Sequence, residues 1–161
     1  MTEPANWRKR DHLAEFWVAG KLVDAGWNVY FPHRDKGFDL IAVREVAGHH
    51  HLRPVQVKGK YPMAGTGNRR LYGYRGKLTA THPDMILAIP FFSCANGPRP
   101  EHVAWLPFEK IALMSGERHR CEPAKLIDGM PQPRQEYRSY FDSQGFERLV
   151  DVAGVTPVEV C

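Results

Sequence analysis

The stretch "KGFDLIAVREVAGHHHLRPVQVKGK", residues 36–60, restricts the fold of this chain more than any other. Two apolar runs, Phe38–Val46 and Leu52–Gly59, flank the turn residues "AGHH", a pattern that predicts an antiparallel hairpin. Side chains alternate faces along a strand, so Gln56 and Lys58 share one face while Val55 and Val57 share the other. If the two strands pair, Asp39 lies across from Gln56 and Lys58, and an acid, an amide oxygen and an ammonium converge. Oxygen ligands suit a hard cation such as Mg²⁺, and the main-chain carbonyl of Val57 offers one more. Lys58 would then stand beside a metal-bound water, able to orient it or help deprotonate it. The competing reading is plainer: Asp39 opens a strand at a turn, and Gln56 and Lys58 lie on a solvated sheet face.

Around this hairpin the pattern reads as helix, three strands, long loop, two strands and helix. A helix is expected from about Asn6 to Ala25, stopped by Gly26. Strands are expected over Trp27–Phe31, the two hairpin arms, Met85–Phe92 and His102–Leu106. Residues 61–83, rich in glycine and proline, read as a long loop with a short helix near Lys77–Thr81. Further helices are expected over Phe108–Met114 and from about Gln135 to Val150, separated by a stretch that Pro123, Pro131 and Pro133 make irregular. This order suggests an α/β sandwich with a mixed sheet, a single domain over 1–161 with its core in about 6–114 and a C-terminal helical extension over about 134–150.

Glu15 adds a fourth polar group. At 100° per residue its neighbours on the first helix are Val18, Ala19, Leu22 and Val23, so it falls within an apolar face, where a carboxylate is costly unless paired or bound to a cation. A Glu near a helix N-terminus, favoured by the dipole and turned to solvent, is the alternative.

Charge is unevenly placed. Between Glu45 and Asp84 there is no acidic residue, yet that interval carries Arg53, Lys58, Lys60, Arg69, Arg70, Arg75 and Lys77. The other 15 basic residues stand against 18 acidic ones, so the whole net charge of +4 comes from this segment. Within it, "GTGNRRLYGYRGK" at 65–77 interleaves Arg69, Arg70, Arg75 and Lys77 with Tyr72 and Tyr74 on a glycine-rich backbone. Cations neutralise phosphates and tyrosines stack or hydrogen-bond, which fits nucleic acid; a mobile, solvated surface loop has the same composition.

No apolar run approaches the roughly 18 residues that cross a bilayer, and the N-terminus lacks a signal-peptide core, so no membrane partner and a cytoplasmic location are expected. Cys94, Cys121 and Cys161 are too scattered for a disulfide or zinc framework and read as free thiols. His49, His50 and His51 read as a solvated hairpin tip. His33 and Asp35 belong to a turn, and the four tryptophans, Tyr137, Tyr140 and Phe141 read as packing.

Glu15, "GFDL" at 37–40 and "QVK" at 56–58 together resemble the PD-(D/E)XK nuclease superfamily, whose pattern is a helix Glu, an Asp on one strand and acid-X-Lys on the next. The resemblance covers about residues 8–60, and less clearly "PDMILAIPF" at 83–91. It implies a restriction-endonuclease-like fold, a central mixed four-stranded sheet flanked by helices, and Mg²⁺- or Mn²⁺-dependent hydrolysis of phosphodiester bonds in DNA. Carried over, Asp39 is the principal metal ligand, Gln56 holds the acid position, Lys58 is the catalytic lysine and Glu15 the supplementary acid. Gln stands where Glu or Asp is usual, as in certain homing endonucleases, and removes one negative charge from the site; Phe38 replaces the usual Pro. The expected partner is DNA, duplex or branched, with Lys60, Arg69, Arg70, Tyr72, Tyr74, Arg75 and Lys77 as contacts. A homodimer is compatible with cutting both strands. Two alternatives belong to other classes: a catalytically inactive nucleic-acid-binding domain on the same fold, and a protein-interaction module whose basic segment meets an acidic partner.

Overall fold

The computed structural model of the protein describes residues 7–34, 37–62, 65–93 and 98–151. From the N-terminus the chain forms α1 (Trp7–Asp24), β1 (Asn28–Tyr30), β2 (Leu40–Val46), β3 (His49–Val57), β4 (Arg69–Gly76), β5 (Ile86–Phe91), β6 (His102–Pro107), β7 (Ala112–Leu113), β8 (His119–Ile127), β9 (Met130–Pro133) and α2 (Asp142–Asp151).

The first helix ends where expected, and for a local reason. Gly26 takes φ +88°, its N–H donates to the Val23 carbonyl at 2.9 Å, and the Trp27 N–H donates to Leu22 at 3.0 Å. That is the paired bonding of a Schellman cap, completed by Leu22 and Trp27 in one buried cluster. The chain then enters a five-stranded mixed sheet in the order β1-β2-β3-β5-β6, with β3 and β5 parallel and the other neighbours antiparallel. The sheet has one strand more than the four that the resemblance implies, namely β1, three residues long and at the edge, within the strand the sequence predicts over Trp27–Phe31.

Both faces of this central sheet are covered. On one, Leu40, Ala42, Val55, Val57, Ile86, Ala88 and Trp105 pack against Ala14, Val18, Leu22 of α1 and Leu149 of α2. On the other, Leu87, Ile89, Phe91, Ala104 and Leu106 meet Tyr72, Cys121, Ala124 and Leu126 from a second, smaller sheet. All six residues of β5 are buried, as a strand covered on both sides requires. Helices therefore flank one face, and a β-layer flanks the other.

That second sheet, β4-β8-β7 with β9 also paired to β8, occupies segments the sequence reads as loop and helix. The long loop over 61–83 contains β4, and no helix forms near Lys77–Thr81. Its Gly73 is a strand residue because the neighbouring strand comes so near that a Cβ would lie 2.4 Å from the Cys121 carbonyl oxygen. The stretch marked irregular by prolines is the β8–β9 hairpin. Pro123 sits where the β4–β8 register slips, and Pro131 and Pro133 lie on β9, whose one strand partner is β8, an edge where a missing N–H does no harm. The helix expected over Phe108–Met114 is a single 3₁₀ turn, Phe108–Lys110, followed by β7, whose backbone is taken by β8. The C-terminal helical extension starts late: Gln135–Tyr140 is 3₁₀, and α2 begins only at Asp142. Phe141 breaks the helix between them, being extended, buried and bridged to Ala104 of β6.

Trp27 and Trp105 are buried and Trp17 partly so. Cys121 is a buried free thiol, its pKa pushed up to about 12 by burial and by Glu122; Cys94 and Cys161 lie outside the described residues, as does Asp35. Among the described residues, no helix is long and apolar enough to cross a membrane.

Candidate metal and nucleic-acid site

The hairpin pairs in the register that places Asp39 across from Gln56: Leu40 opposes Val55, and the Asp39 N–H donates to the Val55 carbonyl at 3.0 Å. The Asp39 carboxylate then takes over where the backbone ladder stops. Its Oδ2 accepts the Val57 N–H at 2.6 Å and the Gln56 Nε2 at 2.7 Å. The turn before it is pressed against the 79–80 segment, since a Cβ on Gly37 would lie 2.6 Å from that of Ala80.

Gln56 is not on a solvated face; it is 4% exposed, turned toward the second sheet. Donation to Asp39 fixes its amide, because a flipped amide would set two oxygens 2.7 Å apart. Its Oε1 is fully buried and accepts no hydrogen bond among the described residues. Leaving a buried carbonyl oxygen so is unfavourable, by about 1–3 kcal/mol, and it marks a place where an acceptor awaits a partner. Along an extended strand, N–H and C=O of one residue point the same way, so the Val57 carbonyl lies on the edge where its N–H meets Asp39. The Asp39 carboxylate and the Val57 carbonyl are oxygens of the kind a hard cation takes, whereas the Gln56 amide turns its NH2 group, not its Oε1, to that carboxylate.

Lys58 leaves β3 with its N–H bonded to Ala88 at 2.9 Å, and its ammonium lies 5.7 Å from the Tyr74 ring centroid. Two residues on, Lys60 repeats the arrangement 5.5 Å over Tyr72. Burial lowers the Lys60 pKa, Arg69 adds to that, and Glu122 opposes it. Tyr74 in turn is pushed up by burial, against the Arg118 charge. These two lysine–tyrosine contacts join the end of β3 to β4.

Glu15 pairs with His12 at 3.4 Å and is largely shielded, with 23% of its side chain exposed. Its neighbour Ala14 lies against Gly59, where an added Cβ would come within 3.0 Å of the Ala14 Cβ. The helix turn carrying Glu15 therefore sits over the strand end that carries Lys58.

Arg69, Arg70 and Arg75 on β4, and Lys77 just past its end, are exposed. Arg75 pairs with Glu122 at 3.1 Å and Lys77 with Glu117 at 2.8 Å, whereas Arg69 and Arg70 have no acidic partner among the described residues. Tyr72 is buried. His49, His50 and His51 open β3 beside the Ala47–Gly48 turn, and among the described residues no three His, Cys, Asp or Glu side chains gather at one point.

The sequence gives no role to Glu122. It sits opposite Gly73 in β8, its side chain 9% exposed, bonded to Arg75 and to Arg120 at 2.5 Å. Arg120 lies two residues before it on the same strand, and Arg75 is brought to it by the pairing of β4 with β8, which the proline pattern conceals. Nor does it mark the exposed pair Phe16 and Phe31, although the helical wheel already turns Phe16 away from the buried row.

Among solved structures, the chain resembles in fold the bacterial homing endonuclease I-Ssp6803I, with a TM-score of 0.52 and 17% identity over 89% of this chain and 93% of that one. At this identity the likeness is one of fold. No protein-family model matches the chain, and no curated protein does.

Proposed function

We propose that the protein is a metal-dependent nuclease of the PD-(D/E)XK type that hydrolyses phosphodiester bonds in DNA. Asp39, Gln56, the Val57 carbonyl and Glu15 would hold Mg²⁺ or Mn²⁺. A fold shared with an endonuclease supports this, and the observation that carries it is the hairpin register that sets the Asp39 carboxylate against Gln56 and the Val57 backbone, with Lys58 next on the chain. A bound divalent ion supplies a water nucleophile near neutral pH and offsets charge on the phosphate. The chain's own groups do the rest. Asp39 is held by the Val57 N–H and by the Gln56 amide, whose Oε1 would reach an ion shared with Asp39 once the amide turned over. Lys58, rooted by its backbone bond to Ala88, orients the water and donates to a phosphate oxygen. Arg69 and Arg70, with Lys60, Arg75 and Lys77 around them, meet the backbone phosphates. A homodimer would supply the second site needed to cut both strands.

One observation favours a second reading, a DNA-binding domain without catalysis: no three potential anionic or imidazole ligands gather among the described residues. Supercoiled plasmid separates the two. With Mg²⁺ or Mn²⁺ the wild type should nick or linearise it, and Lys58→Ala should do so about 10²–10⁴-fold more slowly at similar DNA affinity. Intact plasmid with either ion, alongside tight binding, sinks the nuclease and leaves the binder.

A further inference from the structure

The site has a second wall, opposite in chemistry to the basic strand. On α1, Phe16 follows Glu15 and points away from the buried row Ala14, Val18 and Leu22, remaining 64% exposed. Its ring lies 5.8 Å from that of Phe31, tilted by 55°, and Phe31 is itself 50% exposed with Tyr30 next to it.

Register fixes where this pair stands. β1 and β2 run antiparallel with Tyr30 opposite Ile41. Phe31, one step past Tyr30, therefore runs beside Leu40 and Asp39, which precede Ile41. The α1 turn bearing Phe16 is set at the same end of the sheet by Ala14 against Gly59. The aromatic pair and the Asp39 carboxylate share one end of the central sheet.

Three features say what would cover these rings. His33 and Arg34, both exposed, follow Phe31, and cations beside aromatic faces suit an anionic, ring-bearing partner better than an apolar one. The patch stands at the end of the sheet where Glu15 and Asp39 also lie, next to the proposed DNA surface. The tyrosines that the sequence offers as stacking platforms are also taken: Lys58 lies over Tyr74, and Lys60 over a buried Tyr72. Phe16 and Phe31 keep exposed faces beside the site. In an intact duplex both faces of every base are stacked; a splayed nucleotide has a face to offer.

We infer that Phe16 and Phe31 form a stacking site for an unpaired nucleobase, so that the preferred substrate is DNA with a nucleotide out of the helix next to the scissile phosphate. The word scissile rests on the nuclease reading; the stacking site does not. The test is therefore binding in EDTA, with a short duplex carrying one extrahelical 2-aminopurine and its fully paired counterpart. The wild type should bind the first about tenfold more tightly or better, as one base–aromatic stack provides, and should quench the 2-aminopurine emission. Phe16→Ala/Phe31→Ala should bind both alike, at the wild-type affinity for the paired duplex and with an unchanged melting temperature, since both side chains are exposed. Phe31→Trp should keep the preference. A preference that survives the double substitution overturns the inference, and so does a wild type that binds the paired duplex without any preference. A wild type that binds neither duplex removes the nucleic-acid reading as well, which marks that failure apart.

Discussion

Two shielded carboxylates lie near the gap between the sheets, and they are held in different ways. Asp39 Oδ2 is gripped by two neutral N–H donors, the Val57 backbone and the Gln56 amide. Glu122 lies between the guanidiniums of Arg75 and Arg120. At Glu122 charge is matched locally, and the carboxylate serves the pairing of β4 with β8. At the hairpin, the grip on Asp39 leaves an amide oxygen over, buried with nothing to accept. One arrangement is closed and the other leaves an acceptor unmatched among the described residues, which on the nuclease reading is the difference between a structural ion pair and a binding site.

The comparison breaks most visibly through Glu122→Ala. It leaves two arginines without their acid, and because both are partly exposed the expected loss is about 1–3 kcal/mol of stability, read by urea unfolding with no divalent ion. If stability is unchanged, Glu122 is not structural and the contrast fails. Gln56→Glu probes the other side. It replaces the 2.7 Å amide–carboxylate bond with two like charges, so without metal the variant should lose about 1–2 kcal/mol. Mn²⁺ should return that loss, by RT ln(1 + [L]/Kd), and raise the melting temperature more than it does for the wild type. Equal responses to Mn²⁺ would argue against a cation at this point. The smallest effect separates two arginines of one strand. Arg70→Ala should lower the salt dependence of DNA binding by about one unit of slope while leaving stability alone. Arg75→Ala should lower stability as well, because Glu122 then keeps one partner.

What the sequence made legible follows the same division. The hairpin was readable because period-two alternation is strong over Phe38–Val46 and Leu52–Gly59, and the same alternation predicts Asp39 against Gln56 and the shared face of Gln56 and Lys58. The register bears out that pairing, and burial bears out Val55 and Val57 on the helix side. The second sheet was not readable. Gly73, Pro123, Pro131 and Pro133 look like breakers when seen alone, and only the close approach of β8 and the edge position of β9 make them strand residues. The sequence offers Tyr72 and Tyr74 as stacking groups because composition records which residues are present and not which faces are covered. The metal, the catalytic roles and Glu15's part in them come from the resemblance, because neither alternation nor helical spacing names an ion.

The path of the chain between β3 and β5 has a consequence of its own. These strands are parallel neighbours, yet the segment joining them leaves at Lys58, supplies β4 to the other sheet and then returns. The second layer therefore takes one strand from the same connection that brings β5 beside β3 in the first. The molecule should consequently fold as one cooperative unit dominated by distant contacts, and slowly for its length. Lys58 and Lys60, at the threshold of that crossing, reach their tyrosines only when both layers are in place.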